Sequence, residues 1–213
     1  MKTPIASLTI LCLALAVVPA SAQALYENGP INGGVDAWPF NAHSGYVVSD
    51  TFTLSSSSTV VGFELGTWEF PGDVLTSVDW SITSLENGGT LYGSGTVSGK
   101  NLTDTFLSTN QYGFDVDKIT ATGLNVGLSA QTYWLNLQNG VVPSGDPVYW
   151  DENSGAGCKS NGCPSLASEV DIGTVPSESF TITGGGTTPE PGSFVLFGSG
   201  ILGLAGVLWR KLF

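Results

Sequence analysis

Basic residues are scarce. The 213 residues hold 6 Lys and Arg against 18 Asp and Glu, a formal net charge of −12. A chain so negative repels polyanions, which excludes a nucleic-acid partner. Charged residues of either sign reach only 11%, too few for a coiled coil or a long helical bundle. Histidine occurs once and cysteine three times, and Cys12 lies in the apolar N-terminal stretch, so the three that remain fall short of the four ligands of a structural zinc site. Between the two ends no stretch shows an i, i+3, i+4, i+7 apolar stripe, and no internal repeat points to a propeller or solenoid. Disorder is excluded as well, because 41% of residues are hydrophobic and 10% aromatic.

What the chain does have is period-two patterning. Val78, Trp80 and Ile82 alternate with Asp79, Ser81 and Thr83. The same alternation places Val61, Phe63 and Leu65 on one face, and it recurs at Phe52 and Leu54, and at Leu124, Val126 and Leu128. Tyr133, Leu135 and Leu137 form a further face, and Phe180 and Ile182 a last short one. Half-buried strands produce this pattern. Turn chemistry separates the runs at Pro71-Gly72-Asp73, Asn87-Gly88-Gly89, Ser98-Gly99-Lys100 and Pro143-Ser144-Gly145-Asp146-Pro147. Eight or nine strands at this spacing predict an all-β fold: a β-sandwich ectodomain, jelly-roll or Ig-like, over residues 23–183.

Both ends read as addresses. Residues 1–22 form a signal peptide: Lys2, an apolar stretch from Ile5 to Val18, and Ala20-Ser21-Ala22 as the cleavage site. Cys12 leaves with it. At the other end, residues 184–192 combine a Gly/Thr linker with Pro189-Glu190-Pro191. Residues 193–213 follow as a predicted transmembrane helix, uncharged from Ser193 to Trp209 and closed by Arg210 and Lys211. That stretch is near the lower limit of about 17 residues for a spanning helix. The basic pair stays in the cytoplasm and leaves the sandwich outside. With the ends removed, residues 23–188 keep 17 of the 18 acids against Lys100, Lys118 and Lys159, a net of −14.

The order of Pro189-Glu190-Pro191, a Gly-rich helix from Phe194 to Gly206, and Arg210-Lys211 resembles the PEP-CTERM sorting signal of Gram-negative bacteria. The resemblance implies an exosortase, a membrane-embedded transpeptidase-like enzyme, as partner, with cleavage near the PEP motif. It also implies transient membrane anchoring, then cell-surface or extracellular release, often with exopolysaccharide or biofilm. Within that helix, Gly198-Ser199-Gly200-Ile201-Leu202-Gly203 matches a dinucleotide fingerprint, but no acidic residue follows it. Small residues that allow close helix packing are the better reading. Separately, Asn28 to Trp38, Tyr46 to Phe52 and Gly66 to Asp73 are similar to secreted bacterial domains that carry alternative C-terminal anchors.

Candidate chemistry is thin. Cys158 and Cys163 predict a disulfide closing a small loop, as an exported protein meets an oxidising compartment. His43 lies in a turn, and no G-x-S-x-G elbow accompanies it. Asp151-Glu152 beside Trp150 is the most suggestive acid pair, yet neighbours on a strand face opposite ways. The acids otherwise read as solvated charges on turns and outward positions. Trp134 falls opposite Tyr133 and Leu135, and Trp134, Trp150 and Trp68 are the candidate glycan contacts. Asp36, Asp50, Asp73, Asp146, Asp151 and Glu152 offer oxygens for Ca²⁺, without an EF-hand loop. No catalytic residue, metal set or cofactor is assigned. The expectation is an exported, non-enzymatic surface or matrix protein, with a carbohydrate-binding module and a secreted glycoside hydrolase as rivals.

Overall fold

Alternating apolar residues bury one face of a strand, and several strands here do so between two stacked antiparallel sheets. The structure is a computed structural model that describes residues 22–42, 45–153 and 157–185. The predicted signal peptide up to Ser21, His43, the PEP motif and the sorting helix 193–213 lie outside the described residues.

The first sheet has seven strands: β1 (Gln23–Glu27), β2 (Ala37–Pro39), β4 (Ser58–Glu69), β7 (Leu102–Thr109), β8 (Asp115–Leu128), β10 (Tyr149–Asp151) and β13 (Phe180–Gly184). The second has six: β3 (Val47–Thr53), β5 (Ser77–Leu85), β6 (Gly88–Ser98), β9 (Thr132–Val141), β11 (Ala167–Glu169) and β12 (Gly173–Val175). In the first sheet, long β4 is paired on one side along its whole length by β8, which in turn pairs β7. Its other side is shared: β13 takes Val60 to Leu65, and β10 takes Thr67 and Trp68. The second sheet runs β12-β11-β3-β9-β5-β6. A 3-10 turn at Gly99–Asn101 carries the chain from β6 across to β7. Among the described residues no helix is long and apolar enough to cross a membrane.

The period-two faces meet between the sheets. Phe52, Ile82, Tyr133, Leu135, Leu137, Phe63 and Ile182 are each fully buried in one cluster with Trp80. Each such side chain contributes roughly 1.5–3 kcal/mol of burial. Trp80 packs across Gly93 and Gly95 of β6, whose bare backbones make room for the indole. All four sequence-predicted turns fall at or between strand ends, with Gly88 and Gly89 already opening β6 and Gly99 and Lys100 in the 3-10 turn. In the β5–β6 turn, Asn87 (φ 40°) and Gly89 (φ 73°) adopt the left-handed backbone that a tight reversal needs.

Two expectations are corrected. Among the described residues the strands number thirteen, because β1, β2, β10, β11 and β12 have three to five residues each and show too little alternation to read. And Val61 does not share a face with Phe63 and Leu65. The register breaks between Val60 and Gly62, so Val60 enters the core while Val61 is only half-buried. A bulge of this kind reverses the parity of everything before it. Gly62 is required there, since a Cβ would collide with the Ala121 carbonyl oxygen.

Candidate functional site

The proposed glycan-contact tryptophans separate by burial. Trp134 alternates with fully buried Tyr133 and Leu135 and stands half-buried on the outer face of the second sheet. Beside it, Asn136 accepts from Ser49 Oγ at 2.7 Å and from the Asn87 amide at 2.9 Å. Those bonds hold the β5–β6 turn down on that face. Trp150 is 0% exposed and donates Nε1 to the Ser179 carbonyl at 3.0 Å. Trp68 is 5% exposed and donates Nε1 to Asp151 Oδ1 at 2.6 Å. Neither indole has a free face for a sugar, which corrects the expectation for Trp68 and Trp150. Their partners lie far away in sequence, so the sequence pattern carried no sign of this burial.

Trp68 is instead the buried end of an aromatic ladder on the outer face of the first sheet. Tyr112 stacks on it at 5.5 Å, Phe114 lies 5.9 Å away, and Phe70 meets Phe114 edge-on at 5.1 Å. The exposed rings of this ladder are Tyr112 (57%) and Phe70 (38%).

The acids are the larger surprise. Seven of them, Asp50, Glu69, Asp117, Asp151, Glu152, Glu169 and Glu178, are under 5% exposed, contrary to the reading of solvated charges. Parity explains the first: Asp50 shares its face with Phe52 and so points inward. Its Oδ2 accepts from the Glu178 amide at 2.7 Å and from Asn28 Nδ2 at 3.4 Å. Burial pushes the Asp50 carboxyl up to about 7. Glu178 is raised too, first by burial and then by Asp50, Glu152, Asp151 and Asp36 around it. Asp151 accepts from the Asn32 and Gly33 amides at 2.9 and 3.0 Å, from Trp68, and from Ser179 Oγ at 3.1 Å. Glu152 stands opposite Glu178 in an antiparallel bridge. Asp151 and Glu152 are thus built into the packing between β10 and its neighbours.

A second acidic group comes from three adjacent strands. In the β4–β8 register Thr67 faces Asp117, and in the β7–β8 register Asp104 faces Ile119. Directly paired residues share a face, as do residues two apart on one strand. Glu69, Asp117 and Asp104 therefore project from the same side of the sheet, the side that carries Leu65 and Ile119 into the core. Their ligand oxygens all lie within 4.8 Å of one another. Glu69 is 0% and Asp117 4% exposed, and Asp104 is half-buried. Thr67 Oγ1 donates to Glu69 Oε1 at 2.9 Å, and the Leu75 amide donates to Asp104 Oδ2 at 2.7 Å from the loop above. Burial, then the negative charge of Asp104, raises Glu69 to about 8. Burial, followed by Asp104 and Asp115, raises Asp117 to about 7. Sequence reasoning missed this triad. The one available sign was parity, since Leu65, Thr67 and Glu69 fall on a single face.

Cys158 and Cys163 are joined in a disulfide with Cα atoms 5.9 Å apart, as expected of the two cysteines of an exported domain. The small loop is fastened to β1: the Glu27 amide donates to Ser160 Oγ at 2.7 Å, and Lys159 pairs with Glu27 at 3.0 Å.

The end of the chain is decided by comparison. Residues 187–211 match the family model described as PEP-CTERM protein-sorting motif. The chain carries a PEP-CTERM sorting motif. The matched span includes Pro189, Glu190, Pro191, Arg210 and Lys211. A PEP-CTERM motif marks an exported protein of a Gram-negative-type envelope and implies processing by an exosortase. No curated protein matches the chain.

Proposed function

We propose that this protein is a non-enzymatic component of the cell surface or extracellular matrix. In this reading residues 193–213 hold it transiently in the membrane until an exosortase anchors or releases it, in a setting of extracellular polysaccharide or biofilm. The carrying observation is the sorting motif at 187–211 directly behind a sandwich whose last strand ends at Gly184. The engagement of Asp151 by four donors supports the non-enzymatic part, because a carboxylate held that way is not poised for acid–base work. Intact-mass measurement of the exported protein, in hosts with and without an exosortase, tests the sorting. Loss of the residues that follow the motif is expected only where the enzyme is present. A mature form still ending at Phe213 in that host overturns it. Sustained turnover of polysaccharides by purified protein would overturn the non-enzymatic reading.

One observation favours a carbohydrate-binding module as the second reading: the exposed Tyr112 and Phe70 at the open end of the Trp68 ladder. Sugar rings stack on such faces. A glycan array with Tyr112→Ala and Trp134→Ala variants separates the ladder from the outer face of the second sheet. Undiminished binding by Tyr112→Ala removes the ladder from the site.

A further inference from the structure

We propose that Glu69, Asp104 and Asp117 form a Ca²⁺ site that clasps β4, β8 and β7 together at the end of the core. The donor set is all carboxylate, which suits a hard cation and gives no purchase to the softer metals that prefer imidazole or thiolate. The spacing fits one ion. Two oxygens that ligate the same Ca²⁺ at about 2.4 Å stand at most about 4.8 Å apart, and the three acids bring theirs within 4.8 Å of one another.

An independent observation points to a ligand. Glu69 Oε2 and Asp117 Oδ2 are buried and have no hydrogen-bond partner. Each belongs to a side chain more than nine-tenths buried, and each faces the group from its own strand. An unpaired carboxylate oxygen in such a place carries a large desolvation cost unless a positive charge meets it. Among the described residues no ion pair reaches Glu69, Asp104 or Asp117: the pairs are Lys118–Glu64 and Lys159–Glu27. Lys118, though next to Asp117 in sequence, lies on the opposite face of β8, where it reaches Glu64 at 3.6 Å. Two more acids, Asp73 and Asp115, add their negative field to Glu69 and Asp117 respectively.

The neighbouring contacts suit a clasp. The Thr67 hydroxyl fixes one oxygen of Glu69, and the Leu75 amide fixes one oxygen of Asp104, so two of the three carboxylates are oriented before an ion arrives. Half-buried Asp104 gives water a route to the remaining coordination positions. The ion would tie edge strand β7 to β4 across β8 and hold the loop from Phe70 to Thr76 over the core. Extracellular modules bind Ca²⁺ at roughly 0.1–1 mM, a range that suits an exported protein.

The test uses the exported protein stripped with EDTA and titrated with CaCl₂, with MgCl₂ as a parallel arm. Saturating CaCl₂ should raise the thermal midpoint by about 5 °C or more, with one ion bound per chain. MgCl₂, which demands a smaller octahedral shell, should raise it far less. Glu69→Gln and Asp117→Asn each remove a buried charge, so both should fold in EDTA and show no response to CaCl₂. Asp79→Asn, outside the group, should respond like the parent, which separates binding from general screening of a negative chain. Three results overturn the proposal: no rise in the parent, an equal rise with MgCl₂, or an equal rise in both Glu69→Gln and Asp117→Asn.

Discussion

Trp68 and Asp151 are joined indole to carboxylate at 2.6 Å in a buried setting, although 83 positions separate them in the chain. The bond couples β4 to β10, and through the other donors to Asp151 it also holds the Asn32–Gly33 turn and Ser179.

Replacing Asp151 with Ala leaves the Trp68 indole N–H and two backbone amides without acceptors in that setting. Unsatisfied buried donors cost about 1–3 kcal/mol each before relaxation. We expect a loss of about 3 kcal/mol or more in urea unfolding. Asp151→Asn, which keeps one oxygen acceptor, should lose less. Equal losses would mean that the carboxylate is not the organising group.

Within β5 the two faces should differ sharply. Trp80→Ala removes an indole packed on Gly93 and Gly95, at an expected cost of about 3–5 kcal/mol. Asp79, the next residue, bonds Thr96 and Asn139 on the outer side, so Asp79→Ala should cost about 1 kcal/mol or less. Chemical denaturation of the two variants decides it, and the reverse order would contradict the packing.

Much of this was legible in the sequence. The apolar parities of β3, β5, β8, β9 and β13, and every predicted turn, agree with the fold because both are local features. Three things were not local. The bulge at Val60–Gly62 exists only through its pairing with β8 and β13, so Val61 was assigned to the wrong face. The burial of Trp68 and Trp150 depends on Asp151 and Ser179, which come from elsewhere in the chain. And Glu69, Asp104 and Asp117 come from three strands, so no window of sequence contains the group. Asp50 was readable from the parity of Phe52 and was misread because an acid was assumed to seek water.

Stability should rise on mild acidification. Asp50 titrates near 7 in the fold and near 3.9 in an unfolded chain. Its contribution is therefore fully present below the unfolded value and is lost as pH rises through about 7. The groups that face it or its neighbour Glu178, namely Tyr26, Glu152, Asp151 and Asp36, bring no positive charge to offset this. In EDTA, the thermal midpoint at about pH 5.5 should exceed that at about pH 8 by roughly 2 °C or more. Asp50→Asn should flatten the slope. An equal slope in that variant would assign the effect to other acids.

The disulfide should form on export and matter little to the fold. Thiol labelling of the exported protein should find neither Cys158 nor Cys163 free. Cys163→Ser should remain folded and lose about 2 kcal/mol or less, since so short a loop restrains little unfolded-chain entropy. The Ser160 contact with Glu27 would still hold the loop against β1.

Strand β13, the last before the sorting motif, lies inside its sheet, hydrogen-bonded by β1 on one side and by β4 on the other. Tension applied to the tail along the strand axis would therefore enter two ladders at once and shear their bonds together, where an edge strand could be peeled away one bond at a time. The chain thus leaves the sandwich from a strand held on both sides.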